Sequence, residues 1–394
     1  MNANEASPEL ALLLQCAEGE ESGGGTVEAQ RLVDDVADWD AFLRLASGHA
    51  IVPLVDQYLA RHSARGVPSR ALGQLRDSAQ ASALRSLRLS AQLVSILRAF
   101  ESEQIEAMPF KGPSLALLVY GSLSLRQFED LDILVHRGDV ERARRALSGI
   151  GFVPVVPYND DQRASLELSG HHEQLVDATS GATVELHWLL NNRALSRDAI
   201  ERQWWENRQS VTIGGFAART LGRENLLLYL CMHGGKHGWA RLGWLSDLAH
   251  ALRAYPDADW DEIWRRGRET GTTRMLAIGF GLVRALFSDR SLTDSAFMNR
   301  PRDSNAEALV ALLSARLRRG ERSEHPVDIG VQLQMRERLR DRLRYTWHVV
   351  AAPHPADVGI LKLPRRLHRA YYVMRPVRLL WKYLVRHAKP QSSA

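Results

Sequence analysis

Cysteine is nearly absent from this chain of 394 residues, in which Cys16 and Cys231 are the only two. Two cysteines so far apart can build neither a disulfide framework nor a zinc ribbon, so the sequence favours a reducing compartment. Long hydrophobic runs are also missing, and none reaches the ~20 residues that a membrane-spanning helix needs. The N-terminal residues lack the basic stretch that begins a secretory signal, and we therefore expect a cytoplasmic protein.

Several enzyme signatures are missing as well. There is no Gly-x-Ser-x-Gly elbow, no glycine-rich Walker loop and no dinucleotide fingerprint, which removes support for hydrolase, P-loop and Rossmann interpretations. The hydrophobic fraction of 45% and the charged fraction of 25% are those of a globular protein, not of a disordered or fibrous chain. Two or three domains are expected at this length, because single hydrophobic cores stop growing at roughly 250–300 residues.

The charge is unevenly distributed along the chain. Residues 331–394 contain 11 Arg and 3 Lys but only three acidic side chains, a net charge of +11, whereas the whole chain carries +5. A basic C-terminal segment could contact RNA, an anionic membrane surface or an acidic partner, or it could be a solvated set of helices. These alternatives stay open at the level of sequence.

Hydrophobic periodicity divides the chain into three regions. We expect an N-terminal helical region over 1–100, an α/β core over 101–215 and a C-terminal helical region with the basic tail over 216–394. Ser180-Gly181 predicts a turn that joins two strands of the core. The predicted class is α+β, with a small mixed sheet flanked by helices. The predicted strands occupy 105–110, 131–135, 173–176 and 183–188.

Two aspartates alternate along one predicted strand. Because side chains in a strand point to alternate faces, Asp130 and Asp132 share one face while the aliphatic residues between and after them point into a core. Neighbouring carboxylates repel each other unless a cation lies between them, and ligation by oxygen alone suits magnesium. The alternative is a strand end whose acids only face water.

A second predicted strand, over 183–188, offers a third carboxylate. Its alternation places Glu185 and His187 on the face opposite to its large apolar residues. If this strand lies beside the aspartate strand, three acids could hold two magnesium ions and activate a hydroxyl. Glu185 could otherwise be an ordinary ion-paired residue, and we favour packing as the role of His187. At most one of His171 and His172 can face the acids.

Lys111 and Gly112 end a predicted strand and begin a predicted helix. Glycine lets backbone N–H groups approach an anion, the helix N-terminus favours negative charge, and the lysine adds a positive charge. Arg126, in the loop before the aspartate strand, could pair with a phosphate or with the acids. We therefore expect Lys111, Gly112 and Arg126 to bind the phosphates of a nucleotide.

In this order the motifs resemble those of the bacterial family of uncharacterised nucleotidyltransferases, within the DNA polymerase β superfamily. A Lys-Gly turn, an arginine, an Asp-φ-Asp strand and a later Glu-Leu-His-Trp strand follow one another as they do in that family. Further segments on both sides are also similar. The matching residues are Lys111-Gly112, Arg126, Asp130-Leu131-Asp132, Glu185-Leu186-His187-Trp188, Asp40, His49, Pro53-Leu54, His233, Lys236, His237, Trp239, Asp247, Tyr371-Tyr372, Arg375-Pro376 and Arg378-Leu379.

The resemblance implies a magnesium-dependent nucleotidyltransferase. Such an enzyme would move a nucleoside monophosphate, AMP in the expected case, from an NTP to a hydroxyl-bearing acceptor and would release pyrophosphate. Asp130, Asp132 and Glu185 would be its catalytic metal ligands. Two alternatives are a catalytically inactive nucleotide-binding regulatory or scaffold protein, and an RNA-binding protein that uses the basic C-terminal helices. The sequence identifies neither the acceptor nor the oligomeric state.

The segment around His233 and His237 allows two interpretations. Histidines four residues apart share a helix face and could bind zinc, but no HExxH glutamate accompanies them. By the resemblance, Lys236 or His237 instead faces the nucleotide, with Asp247 orienting one of them. We expect the second arrangement.

Overall fold

The computed structural model shows an α+β protein in which helices flank a small mixed sheet. The residues that it describes are 6–19, 26–62, 65–191, 198–289, 292–294, 302–320, 328–353, 357–358 and 363–388.

The residues before the sheet are helical, as the periodicity predicts. Side chains cap two of these helices, because Ser7 accepts a hydrogen bond from the backbone of Leu10 and Asp38 accepts one from Ala41. The long helix α5 covers one face of the sheet. The helices are α1 (Pro8–Glu18), α2 (Thr26–Asp34), α3 (Trp39–Gly48), α4 (Val52–Arg61) and α5 (Ser69–Ser102).

The strands and short helices of the sheet region alternate along the chain. In order they are β1 (Ala107–Pro109), α6 (Gly112–Tyr120), β2 (Asp130–Val135), α7 (Val140–Gly149), β3 (Phe152–Pro154), α8 (Asp160–Ser169), β4 (His172–Asp177) and β5 (Thr183–His187).

The sheet has the strand order β1-β2-β5-β4-β3. β2 and β5 run parallel, and every other neighbouring pair is antiparallel. One face packs on α5 and α7 through aliphatic residues, among them Leu131, Ile133 and Leu186. The four predicted strands and the turn at Ser180-Gly181 are confirmed, with ends that shift by one or two residues.

A two-stranded hairpin that the sequence reasoning did not anticipate follows the sheet. Its strands are β6 (Arg208–Ile213) and β7 (Phe216–Leu221), and its turn is Gly214-Gly215, where both residues have positive φ. The expected boundary between 215 and 216 falls within this hairpin. The division into three regions therefore stays a prediction.

The rest of the described chain is helical. Among the described residues, no helix is both long and apolar enough to cross a lipid bilayer. The helices are α9 (Asp198–Glu206), α10 (Arg223–Lys236), α11 (Leu242–Ala254), α12 (Trp260–Thr270), α13 (Thr273–Leu286), α14 (Ser304–Arg318), α15 (Ile329–Gln334), α16 (Leu339–Ala351) and α17 (Tyr371–Ala388), with a 3-10 turn at Arg365–Ala370 before the last one.

Helices from before and after the sheet share one hydrophobic core. Leu13 of α1, Leu245 of α11 and Phe280 of α13 are all fully buried in it. The end of α3 is fixed to α11, because the His49 ring accepts a hydrogen bond from the backbone of Leu242 at 3.2 Å. This packing brings the end of α3 beside the acid-bearing face of the sheet.

Candidate active site

The acids lie on neighbouring strands of the sheet. In the parallel register of β2 and β5, Asp132 is opposite Glu185 and Asp130 is opposite Thr183. Because residues opposite each other in a sheet share a face, Asp130, Asp132 and Glu185 all lie on the face away from α5. The strand register therefore brings the three acids to one face of the sheet, as the alternation along the two strands predicts.

Asp132 is the most deeply buried of these acids, at 3% exposure. Its Oδ1 atom lies 2.7 Å from Lys111 Nζ and 3.2 Å from His187 Nε2. Burial alone would raise the pKa of Asp132, but these two cationic neighbours outweigh burial and hold the pKa well below its usual range. Its Oδ2 atom is buried and receives no hydrogen bond from the described residues.

Asp130 has the opposite electrostatic environment. It is half-buried at the start of β2. Burial raises its pKa to about 6, and the negative charge of Asp132 adds to that shift. The positive charges of Lys111 and Arg126 only partly offset these two effects.

His187 lies between the two strands' carboxylates. Its Nε2 atom is 3.2 Å from Asp132 Oδ1 and 3.1 Å from Glu185 Oε2. Burial would lower the pKa of His187, but its hydrogen bonds to these carboxylates raise it. His187 does pack, with its ring edge-to-face on Phe110 at 5.1 Å, and it also bridges the acids.

Glu185 is held on the histidine side of the site. Its Oε1 atom lies 3.8 Å from His172 Nε2. Burial would raise the pKa of Glu185, but the hydrogen bond from His187 and the charge of His172 lower it. Within the described residues, the group whose potential ligand atoms all lie within 4.8 Å of one another is His172, Glu185 and His187. The three carboxylates form no such group with the side chains in these positions.

The two aspartates fit a divalent cation. Asp132 Oδ2 is a buried oxygen without a donor among the described residues, and the pKa of the neighbouring Asp130 carboxyl is raised by burial and by the negative charge of Asp132. A hard cation with oxygen ligands would satisfy both atoms. His233 and His237, the alternative zinc pair, gain no third metal-ligating side chain from the part of the chain that the structure describes.

Gly112 allows α6 to begin against the start of β2. Its φ is +52°, and a Cβ atom there would lie 3.4 Å from the backbone oxygen of Asp130. A residue with a side chain would therefore be strained and crowded at this turn. Lys111 precedes it, and its pKa is raised because the attraction of Asp132 outweighs the effect of burial. Lys111 thus stays charged at neutral pH.

Arg126 is held by α11 at the edge of the same site. Its Nε and Nη2 atoms donate to the two oxygens of Asp247 at 2.8 and 3.0 Å, and the Tyr120 hydroxyl donates to Asp247 at 2.8 Å. The expectation that Asp247 orients Lys236 or His237 is wrong, because the packing of α6 on α11 brings it to Arg126 instead. Arg126 Nη1 has no partner among the described residues, so one donor remains for a ligand.

The end of α10 forms another wall of the site. Gly234 lets the Trp239 ring pack on the helix, since a Cβ atom at that position would lie 2.5 Å from the ring. Burial lowers the pKa of His237 to about 4, helped by the charge of Lys236, so His237 is neutral at pH 7. Burial also lowers the pKa of Lys236.

A cavity of about 590 Å³ opens at the acids and reaches the ends of α3 and α10. It combines cationic, carboxylate and aromatic side chains, a mixture suited to a charged ligand with a planar ring. Of the predicted site residues, Glu185 and Lys236 are not part of its lining. The lining residues are Ser47, Gly48, Ala50, Lys111, Gly112, Arg126, Gln127, Phe128, Glu129, Asp130, Asp132, His233, His237, Ala240, Arg241 and Trp244.

Sequence reasoning missed several residues of the site. Burial raises the pKa of the Tyr229 hydroxyl, and the positive charge of the nearby Lys111 opposes that shift. Arg241 and Trp244 line the cavity, with the Arg241 guanidinium 5.7 Å from the centre of the Trp244 ring. Polar residues within otherwise apolar segments are the signal that could have indicated Tyr229 and Arg241.

The C-terminal region also reaches the histidine side of the site. His348 of α16 lines a second cavity, of about 390 Å³, together with His171 and His172. Burial lowers the pKa of His348 to about 4. No sequence signal connects His348 with residues that lie so far from it along the chain.

Comparison with known proteins places this α+β chain and its acid-bearing sheet in a family. The sequence model of the uncharacterised nucleotidyltransferase family matches residues 35–288, well over half of the chain, so the chain belongs to that family. The match includes all the predicted site residues and ends before α14. A comparison with curated proteins finds no match.

One solved structure is similar over part of the chain. It is an antigenic nucleotidyltransferase-like protein from Paracoccidioides brasiliensis, with 15% sequence identity and a TM-score of 0.37. The similarity covers 57% of this chain and 97% of the other.

Proposed function

We propose that this chain is a magnesium-dependent nucleotidyltransferase. It would transfer the nucleoside monophosphate of an NTP, AMP in the expected case, to a hydroxyl group of an acceptor and release pyrophosphate. Family membership supports nucleotidyl transfer in general. The carboxylates and cationic side chains of the cavity support magnesium and an NTP as its ligands.

The observation that carries the proposal is the buried Asp132 Oδ2 atom, which has no hydrogen-bond donor among the described residues. A buried carboxylate oxygen without a partner costs free energy on the order of 1–3 kcal/mol. The atom lies in a side chain of the cavity lining, beside Asp130. A bound cation would offset this cost, and an NTP, which binds together with magnesium, would suit the charged lining of the cavity.

Asp130 and Asp132 would hold magnesium, with Glu185 on the adjacent strand completing the site. When bound, the ion would neutralise charge on the reacting phosphates. Lys111 and the free donor of Arg126 would bind phosphate oxygens, and the first turn of α6 would favour their negative charge. These contacts position the α-phosphorus, which is the main contribution of the protein in phosphoryl chemistry.

Glu185 would receive the proton of the acceptor. The lowered pKa keeps it an ionised carboxylate at neutral pH, and His187 holds one of its oxygens. The acceptor oxygen would form a bond to the α-phosphorus while the bond from that phosphorus to the pyrophosphate oxygen breaks. The proton would pass to Glu185, and pyrophosphate would carry away the electron pair.

The test is nucleotide transfer with each α-labelled NTP, magnesium and a cell extract as the source of acceptors. We expect a labelled product with the wild-type protein and a loss of about 10³-fold in rate with Asp130→Asn or Asp132→Asn, because each variant removes a carboxylate charge that would hold the magnesium ion. Asp139→Asn is the matched control, since Asp139 lies outside the cavity and pairs with Arg142 on the surface. It should transfer normally.

Asp132→Asn could fail to fold because Asp132 is buried against Lys111, so circular dichroism and thermal unfolding accompany every variant. The half-buried Asp130 provides the variant that is easier to interpret. Normal transfer by a folded Asp130→Asn protein would contradict the proposal.

A second candidate is a nucleotide-binding protein without catalysis. The contact of Lys111 Nζ with Asp132 Oδ1 favours it, because the carboxylate already has a cationic partner in the protein. Calorimetry with ATP and magnesium separates the two functions. Tight binding without pyrophosphate release in any extract would support this candidate over the enzyme.

A further inference from the structure

Helix α16 has an apolar stripe that faces water. Leu339, Leu343, Trp347 and Val350 follow one another at intervals of four, four and three residues, which places them on one side of the helix. All four are exposed, Leu343 at 62% and Trp347 at 61%. A stripe of this kind is normally buried in a protein core.

Helix α17 has a second stripe. Val373, Val377, Leu380 and Trp381 lie on one side of it at helical spacing and are all exposed, Trp381 at 69%. The two helices pack on each other, since the rings of Trp347 and Tyr372 are stacked with their centres 6.4 Å apart. We call the exposed residues of both stripes the apolar surface of α16 and α17.

The charge around this surface is positive. Arg340, Arg344, Arg366 and Arg369 are exposed on α16 and on the turn before α17. The acids of this region are turned inward: Asp341 is 4% exposed, and Asp357 is 1% exposed and paired with arginines of α17. The surface therefore combines large apolar side chains with exposed arginines and little exposed negative charge.

We infer that the apolar surface of α16 and α17 binds the anionic surface of a lipid bilayer. Helices with an apolar face that includes tryptophan and a rim of arginine lie in the bilayer interface, where the apolar side is buried and the arginines meet lipid phosphates. The chain would lie on the bilayer and not cross it, in agreement with the hydropathy of the described helices.

Charge complementarity selects this occupant over a second copy of the chain. Two such surfaces brought face to face would oppose arginine to arginine, which is unfavourable in a desolvated interface. Nucleic acid would match the positive charge but would leave the aliphatic side chains without a partner. A bilayer that contains anionic lipid satisfies both components.

The test is sedimentation of the full chain with vesicles of phosphatidylcholine alone and with vesicles of equal parts phosphatidylcholine and phosphatidylglycerol. We expect binding to the second and much weaker binding to the first. Leu343→Asp and Leu380→Asp should each lower the partition coefficient by at least about tenfold, because a charge would replace an apolar side chain that the bilayer buries. Leu87→Asp is the matched control, since Leu87 of α5 is similarly exposed, at 56%, but lies outside this surface.

The outcomes are distinct. Binding that persists in Leu343→Asp and Leu380→Asp, or that Leu87→Asp weakens equally, would overturn the inference. Equal binding to both vesicle types would overturn its electrostatic part, as would binding unaffected by ~1 M salt, which shortens the screening length to ~3 Å. A dimer in light scattering that Leu343→Asp dissociates, without vesicle binding, would assign the surface to a second copy. Binding of single-stranded RNA without vesicle binding would assign it to nucleic acid.

Discussion

Removal of the Asp247 carboxylate should strongly destabilise the protein. Asp247 is 5% exposed and Arg126 is 13% exposed at their side chains, and two hydrogen bonds of 2.8 and 3.0 Å join them. In Asp247→Ala the guanidinium stays buried without its counter-ion. Breaking a buried pair in this way costs about 3–5 kcal/mol. We expect a decrease of that size in the free energy of unfolding, measured by urea denaturation at pH 7.

Two further variants test whether the unpaired charge is the cause. Tyr120→Phe removes only the third hydrogen bond to Asp247 and should cost about 1 kcal/mol. The double variant Arg126→Leu with Asp247→Leu removes both charges and should be more stable than Asp247→Ala, because no uncompensated ion remains. A cost below about 1 kcal/mol for Asp247→Ala would refute the reasoning, since that is the value of an exposed pair.

Two other predictions concern the stability contributed by glycines within helices and by an ion pair of α12. Gly234→Ala should cost at least about 2 kcal/mol in thermal unfolding, because the new Cβ atom would lie 2.5 Å from the Trp239 ring. Gly73→Ala in α5 should instead stabilise the protein by about 0.5–1 kcal/mol, because nothing lies within 4 Å of its new Cβ atom. Equal effects of the two substitutions would refute this prediction. Hydrogen bonds from Arg265 lower the pKa of Glu262 to about 2, below its unfolded value of about 4.3, so its stabilisation is present above that value and is lost as pH falls towards 2. Between pH 6 and pH 2, Glu262→Gln should lose about 1 kcal/mol less stability than the wild type, and an equal loss in both would contradict the prediction.

Local pattern was enough to predict the acid-bearing strands. The alternation at Asp130 and Asp132 fixes their common face, since one residue of slip would turn both acids into the core. The same argument places Glu185 and His187 together. These features depend on residues two positions apart, which is the range over which sequence pattern is informative.

Contacts between distant segments could not be predicted in the same way. Asp247 pairs with Arg126 because α11 packs on α6, close to the loop that contains Arg126, and nothing in the sequence of α11 or of that loop encodes the partner. The sequence predicts packing for His187, whereas its position between two carboxylates depends on the register of β2 and β5. The hairpin at Gly214-Gly215 is different, because paired glycines between two strand-like runs are a local signal that indicates a turn.

The parallel pairing of β2 and β5 has a consequence for the order of assembly. The strands are joined by the chain from 136 to 182, which itself contains α7, β3, α8 and β4. During synthesis, Asp130 and Asp132 therefore leave the ribosome well before Glu185 and His187 are available beside them. Until β5 pairs with β2, this edge of β2 is open, and Asp130 and Asp132 lack the neighbouring imidazole of His187. The cluster therefore cannot form before β5 has been synthesised, and a nascent chain that stops before residue 183 would contain the aspartates without Glu185 and His187.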